Sequence, residues 1–372
     1  METKNVLLLG GTGTLSTAVL NKAAEQGYRL WVLNRGIRKQ KLPNSVQNII
    51  GDFKNTSTWV DKIRNLHFDI VVDFLSRLPI DIERVYPIFK NHCEQYIFIS
   101  TSCVYRRANE DFPIKESSPK PNKDWEYNTE KYEAEKMLIK LSHDSHNYYT
   151  IVRPYITYDE ERIPFGITPA YKYHRTIIER IKSEKPMFVW NGGNSITTLT
   201  YVDDFANGVV GLFLNENAKN EDFHITSNFQ YTWQDFWRIF YDKMNIDINI
   251  VDISVDEIGK VMPNEKNILK GDRTLDAVFD NSKIKAAVPS LKFEYNLEAG
   301  IDEILRHYNN SKIHSYDYMY DALLDKMLSH YSSNTHFVKY PNAENSSRYK
   351  YLAYRYLPIK IANKLCRLLK IK

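Results

Sequence analysis

The chain is poor in cysteine, almost balanced in charge and free of long apolar runs. Only Cys93, Cys103 and Cys366 occur in 372 residues, at spacings that make neither a disulfide framework nor a metal motif. Its ten histidines are scattered without a His-x-x-x-His pair, which argues against a metal centre. A net charge of +4 is too small to imply nucleic-acid binding by itself. No stretch reaches the roughly twenty apolar residues of a membrane span. The start Met1-Glu-Thr-Lys-Asn5 runs straight into an apolar segment, so no signal peptide is expected, and the cysteine usage fits a reducing cytoplasm. With 43% apolar residues the expectation is an ordered globular protein with one large core and a smaller lobe.

What the chain does have is concentrated near Phe98-Ile-Ser-Thr-Ser-Cys-Val-Tyr105, followed by Tyr127-Asn-Thr-Glu-Lys131 at the head of a helical pattern. A hydroxyl at Thr101, a phenol at Tyr127 and an ammonium at Lys131, brought together beside a nicotinamide, would move a proton while the cofactor moves a hydride. Spacing alone does not select this pair. The chain holds 26 Tyr, and Tyr132/Lys136 and Tyr356/Lys360 repeat the Tyr-x-x-x-Lys interval. Only Tyr127 follows a buried strand and a Ser/Thr pair at a suitable distance, with a helix continuing through Ala134, Met137, Leu138 and Leu141. The competing reading is an ordinary first turn of an exposed helix.

The N-terminus supplies a cofactor cradle. Asn5-Val-Leu-Leu-Leu-Gly10 reads as a parallel strand covered on both faces. Gly10, Gly11, Thr12, Gly13, Thr14 and Leu15 then form a tight turn into a helix, whose first amides can hold a pyrophosphate. The next strand, Leu30-Trp-Val-Leu33, ends in Asn34-Arg35, where an adenosine ribose would lie. A neutral residue followed by arginine suits a 2′-phosphate, so NADP is favoured over NAD. Arg35, Arg38 and Lys39 read equally as a solvated basic loop. Asp52, with Phe53 beside it, either accepts a hydrogen bond from adenine or caps a nearby helix.

These pieces resemble the extended short-chain dehydrogenase/reductase family, the NAD-dependent epimerases and dehydratases, over roughly residues 4 to 308. The matching landmarks are the Gly10/Gly13 turn, Asp52, the strand Ile70-Val-Val-Asp-Phe74, Ser100-Thr101, Tyr127/Lys131, Arg153-Pro154 and Tyr201-Val-Asp-Asp204. Asn34-Arg35-Gly36, Thr232-Trp233 and Phe279-Asp-Asn-Ser-Lys283 look most like a branch that includes chloroplast stem-loop-binding proteins, some of them RNA-associated. The resemblance implies NADP or NAD as cofactor, contacted also by Phe74, Ser76, Ser100, Lys131 and Pro154. It implies a nucleotide-sugar substrate and a place in surface polysaccharide or glycan precursor synthesis. Ser102, Tyr155 and Tyr158 are its candidate substrate residues, although the two tyrosines read equally as core. A homodimer is left open, and nucleic acid is not the first choice of partner. The alternatives from other classes are an RNA-associated protein that keeps the fold and a cofactor-binding regulator without turnover.

Three departures qualify the resemblance. Ser16 stands where a third glycine is usual, which suggests looser packing of helix on sheet. Ser102-Cys103 replaces the Asp-Glu pair that eliminates water in 4,6-dehydratases, so dehydration is not expected. Cys103 itself reads as a small buried residue more readily than as a reactive thiol. Thr197 and Leu269 occupy places where many epimerases carry arginines that grip a diphosphate.

Strands expected near 5 to 10, 29 to 34, 47 to 51, 70 to 74, 95 to 100 and 149 to 153 alternate with helices, predicting an α/β, Rossmann-type doubly wound parallel sheet. The expected domains are a cofactor domain at 1 to 160 with later segments returning to it, a substrate lobe at 161 to 309, and a Tyr-rich extension at 310 to 372. In the lobe, helices are predicted near 165 to 183, 203 to 214, 232 to 243 and 296 to 308, with strands near 187 to 190, 222 to 226 and 247 to 252. The last residues, 357 to 372, carry five basic side chains and no acidic one. On a helix, Ile361, Leu365, Leu368 and Leu369 share one side, with Lys360, Lys364, Arg367 and Lys370 largely opposite. Such a helix lies on an anionic membrane, at the inner face of the cell membrane, or on a partner. Equally, it packs on its own domain.

Overall fold

The computed structural model describes residues 3–37, 42–43, 45–312 and 314–369. Arg38 and Lys39 of the basic loop, and Lys370 of the tail, lie outside the described residues. Two compact units emerge: residues 1–157, 198–229 and 277–295 in the first, and 158–197, 230–276 and 296–372 in the second.

In the first unit, short apolar runs form β1 (Asn5–Leu9), β2 (Arg29–Asn34), β3 (Val46–Ile50), β4 (Ile70–Asp73), β5 (Gln95–Ile99) and β6 (Tyr148–Pro154). Between them run α1 (Thr14–Glu25), α2 (Val60–Ile63), α3 (Pro79–Phe89) and α4 (Glu126–Ser142). A strand from much later in the chain, Glu221–Ile225, pairs with β6, so the segment assigned mainly to a substrate lobe returns to this sheet. The seven strands lie in the order Glu221–Ile225, β6, β5, β4, β1, β2, β3, and every pairing is parallel.

Side chains alternate across a strand, and here both sets are apolar. Leu7, Leu9, Trp31, Leu33 and Val71 join α3 and α4 residues Ile82, Val85, Phe89, Ala134 and Leu138 in one cluster. Val6, Leu8, Leu30 and Val32 on the opposite face are equally buried. Each such side chain taken from water contributes roughly 1.5 to 3 kcal/mol, which is why continuous apolar runs mark this kind of sheet. Parallel pairing with crossover helices also brings every strand's carboxyl end to one edge.

In the second unit, Met187–Trp190 pairs in parallel with Ile250–Ile253. An aromatic core of Phe165, Trp190, Trp233, Phe236 and Trp237 packs at ring distances of 4.6 to 6.1 Å from Phe165. The helix expected near 165 to 183 is confined to Arg175–Lys182. Pro164, Gly166 and Pro169 explain the difference, since proline lacks the amide that continues a helix. The Tyr-rich segment belongs to this unit. Helix Tyr318–Leu328 presents Asp321 and Asp325 to Arg180 and Lys185, and all four side chains are fully buried. Arg180 donates to Asp325 at 2.8 Å, Lys185 contacts both carboxylates, and Tyr340 and Tyr351 donate to Asp321 and Asp325 at 2.9 and 2.6 Å. Two cations and two anions thus neutralise one another out of water.

Candidate active site

The carboxyl edge of the first unit's sheet gathers the expected groups. Gly10 leaves β1 with φ of +86°, a left-handed conformation that favours glycine, and a Cβ there would press on Leu75. A Cβ on Gly11 would overlap Val32. Gly13 caps α1, with Thr14 as its first residue and Thr12 and Leu15 half-buried beside it. Within the turn, the Ser16 hydroxyl accepts from the Gly13 amide at 3.0 Å and donates to the Gly13 carbonyl at 3.2 Å, closing the loop on itself.

At the end of β2, the Asn34 side chain accepts from Gly36 N at 2.7 Å and donates to Asn48 at 2.8 Å, while Arg35 is exposed. Asp52 is exposed and accepts from Lys54 N at 3.1 Å, which makes it a turn residue rather than a helix cap. The Phe53 ring belongs to the sheet's core, with the Arg84 guanidinium 5.6 Å from its centre. Phe74 is half-buried after β4. Asp73 accepts from the amides of Leu75 and Ser76 at 2.8 and 2.9 Å, fixing this loop. The Ser76 hydroxyl is buried without a hydrogen-bond partner. A buried hydroxyl left unbonded is costly. Together with two glycines whose places no larger residue fits, it suits a dinucleotide lying along this edge.

Lys131 is the centre of the arrangement. It lies on α4 and is buried, with Nζ donating to the Ser76 carbonyl at 2.7 Å and the Ile99 carbonyl at 2.9 Å. The Phe98 ring centre lies 4.8 Å from the ammonium. Burial pushes its pKa down to about 8, against the opposing pull of Asp73 and Glu135. Tyr127, one helical turn earlier, is half-buried, with Trp125 at 4.7 Å and the Arg77 guanidinium 5.2 Å from its ring centre. Residues four apart share a helix face, so Tyr127 and Lys131 lie on the same side of α4. Thr101 caps the short turn after β5, and its Oγ1 accepts from Cys103 N at 3.2 Å.

Other expected residues serve the frame. Ser100 donates to Glu135 at 2.5 Å and Ser102 to the Arg153 carbonyl at 2.8 Å, so the hydrogen of each hydroxyl is committed within the protein. Pro154 ends β6, buried opposite Ile225. Tyr155 is buried between Phe279, at 5.4 Å, and Arg107, whose guanidinium lies 4.8 Å from its ring and donates to its hydroxyl at 3.2 Å. Tyr158 is fully buried in the second unit, against Gly300, which makes it core there. Thr197 and Leu269 are buried too. Cys103 is a buried free thiol.

Sequence reasoning missed Glu135 and the charges around Arg153. Glu135 lies four residues after Lys131, and that interval was the available signal. Arg153 binds Glu135, meets Asp222 at 2.5 Å and donates to Tyr105 at 2.7 Å. Although burial opposes its charge, Glu135 and the other partners raise its pKa well above the ordinary value. Lys283, from the Phe279–Lys283 landmark, reaches Glu221 and Asp222 at 2.7 and 3.1 Å. Asp204, of the Tyr201–Asp204 landmark, accepts from Glu294 N and Tyr295 N at 3.1 Å each, and burial raises its pKa to about 6. Both landmarks therefore brace the first unit.

The seven-stranded parallel sheet with flanking helices and a glycine turn after β1 defines a Rossmann-like α/β protein. The family model of the NAD dependent epimerase/dehydratase family matches residues 6–226, and the chain belongs to that family. It is 26% identical over 239 residues to the chloroplast stem-loop binding protein of 41 kDa b from Arabidopsis thaliana; the match covers 60% of this chain and spans 58% of that relative's length. Among solved structures, the UDP-glucuronic acid 4-epimerase of Bacillus cereus, in complex with UDP-glucuronic acid and NAD, has a TM-score of 0.65 and 16% identity, over 82% of this chain and 99% of that one. The UDP-glucose 4-epimerase of Thermotoga maritima, with UDP-glucose, likewise has a TM-score of 0.65, at 18% identity over 82% and 98% of the two chains. No described helix is long and apolar enough to cross a membrane.

Proposed function

We propose that the protein is an NAD(P)-dependent epimerase or reductase acting on a nucleotide-activated sugar, in the supply of precursors for surface polysaccharide or other glycans. The observation that carries this reading is the buried Lys131 ammonium, one helical turn from Tyr127 on α4 and bonded to the carbonyls of Ser76 and Ile99. Bound NAD(P) supplies the capacity to accept a hydride from a carbinol carbon and, in an epimerase, to return it.

Tyr127 moves the accompanying proton. An ordinary phenol, with a pKa of about 10, is a poor base at neutral pH, so the reaction needs a nearby positive charge that favours phenolate. Lys131 provides one, and with its pKa near 8 it is still mostly protonated at pH 7. Thr101 receives a hydrogen bond from Cys103 N, which leaves its own hydroxyl hydrogen for the substrate oxygen. Ser102-Cys103 offers no acid/base pair for eliminating water, so dehydration is not part of the reading. NADP is proposed over NAD because Arg35 is exposed at the end of β2, beside an Asn34 side chain already committed to Gly36 and Asn48.

The test is to denature purified protein, identify any released dinucleotide by mass, and screen nucleotide sugars with that cofactor. Tightly held NAD and isomerisation without net cofactor change indicate an epimerase. Exchangeable NADP and a steady loss of reduced-nicotinamide absorbance with a keto-sugar indicate a reductase. Failure to bind either dinucleotide overturns the reading.

A further inference from the structure

Helix Ile359–Leu368 packs on its own unit through its small residues. Ala362 and Cys366 are buried beside Tyr318, Tyr351 and Tyr354. Its large apolar side chains face away: Ile361 is 54% exposed, Leu365 37%, Leu368 71%, and the following Leu369 59%. Single exposed leucines are common, but four within nine residues form a stripe. Lys360, Lys364 and Arg367 repeat the same spacing one residue earlier and are also exposed, so a cationic stripe runs along one edge of the apolar one. The docked residues form the other edge.

The surroundings carry the same sign. From Asn345 to Lys372 there are eight basic residues and no acidic one. At the end of the preceding helix, Ser347–Tyr356, Arg355 and Tyr356 help line a cleft of about 630 Å³ together with Lys260, Lys326 and His330. Its single carboxylate, Glu257, is already engaged by Ser254 and Tyr331. Nη1 of Arg355 is buried and has no hydrogen-bond acceptor.

We propose that this face lies on an anionic lipid bilayer, with Ile361, Leu365, Leu368 and Leu369 in the interfacial region and Lys360, Lys364 and Arg367 on lipid phosphates. Charge decides the occupant. A second copy docking by the same patch would set the cationic stripe against itself, whereas an anionic bilayer supplies both the apolar layer and the missing negative charge.

The test is co-sedimentation of the full chain with phosphatidylcholine vesicles, with and without about one third phosphatidylserine. Binding is expected only to the anionic vesicles, and raising the salt reverses it. Lys364→Glu/Arg367→Glu and Ile361→Ser/Leu368→Ser alter only exposed side chains, so each is expected to keep the thermal midpoint while weakening binding at least about tenfold. The proposal is overturned if wild-type protein ignores anionic vesicles at low salt, or if both variants bind as wild type. It is also overturned if inorganic phosphate at matched ionic strength displaces the protein, or if light scattering reveals a dimer that Ile361→Ser/Leu368→Ser dissolves.

Discussion

Arg153 grips Glu135 through two parallel hydrogen bonds of 2.8 Å, from Nε and Nη2 to the two carboxylate oxygens, with both side chains buried. Glu135 lies one turn beyond Lys131 on α4, so the clamp fixes the rotation of the helix that carries the proposed acid/base group. Removing Glu135 leaves the Arg153 Nε and Nη2 donors buried without an acceptor, with only Asp222 and Tyr105 still on Nη1. Glu135→Ala is expected to cost about 3 to 5 kcal/mol in urea denaturation, and Glu135→Gln clearly less, because the amide oxygen still accepts. A loss below about 1 kcal/mol for the alanine variant would reduce the clamp to a minor contact.

Tyr127→Phe should keep the fold and cofactor affinity but lower turnover by at least about a hundredfold, the scale of a lost general acid/base. Tyr132→Phe should be nearly silent. Tyr132 is half-buried, with Lys136 5.6 Å from its ring centre, an ordinary helix-surface pair. Steady-state rates on the substrate found by the screen distinguish the two. An inactive Tyr132→Phe beside an active Tyr127→Phe would move the motif to the second pair.

Lys131 also leaves a mark on stability. Its pKa is near 8 in the folded protein against 10.5 for an unperturbed lysine, so the unfolded chain binds more protons between those values. Stability contributed by this group therefore rises with pH through that window. Between pH 7 and pH 9 the gain is about 1 kcal/mol. Comparing urea midpoints of wild type and Lys131→Met, both free of cofactor, should show the increment in wild type only.

Arg35→Ala should weaken NADP far more than NAD, because only NADP carries a 2′-phosphate for a charge-assisted contact worth about 1.5 to 3 kcal/mol. Titration with each cofactor reads the difference. Equal losses for both would remove the NADP preference.

The sheet was legible because buried parallel strands need continuous apolar runs, and the boundaries of β1, β2 and β5 fall within a residue of expectation. Sequence spacing also brought Tyr127 and Lys131 to one helix face. What it did not reveal was the role of polar residues whose partners are distant. Ser100 and Ser102 resemble site hydroxyls in a list, yet their bonds go to Glu135 and Arg153, which are 35 and 51 positions away. The tail was legible in part. Periodicity located the helix Ile359–Leu368 and its leucine side, but not that Ala362 and Cys366 would form the docked face.

The neutral quartet of Arg180, Lys185, Asp321 and Asp325 has an evolutionary corollary. Its cations precede residue 190 and its anions follow residue 320, so neither pair is tolerable inside the protein without the other. A relative whose chain stops near residue 310 would have no use for charge at positions 180 and 185 and should carry apolar or small polar residues there. The four positions should therefore change together among related chains, so that charge at 180 and 185 marks those in which a buried carboxylate pair answers it.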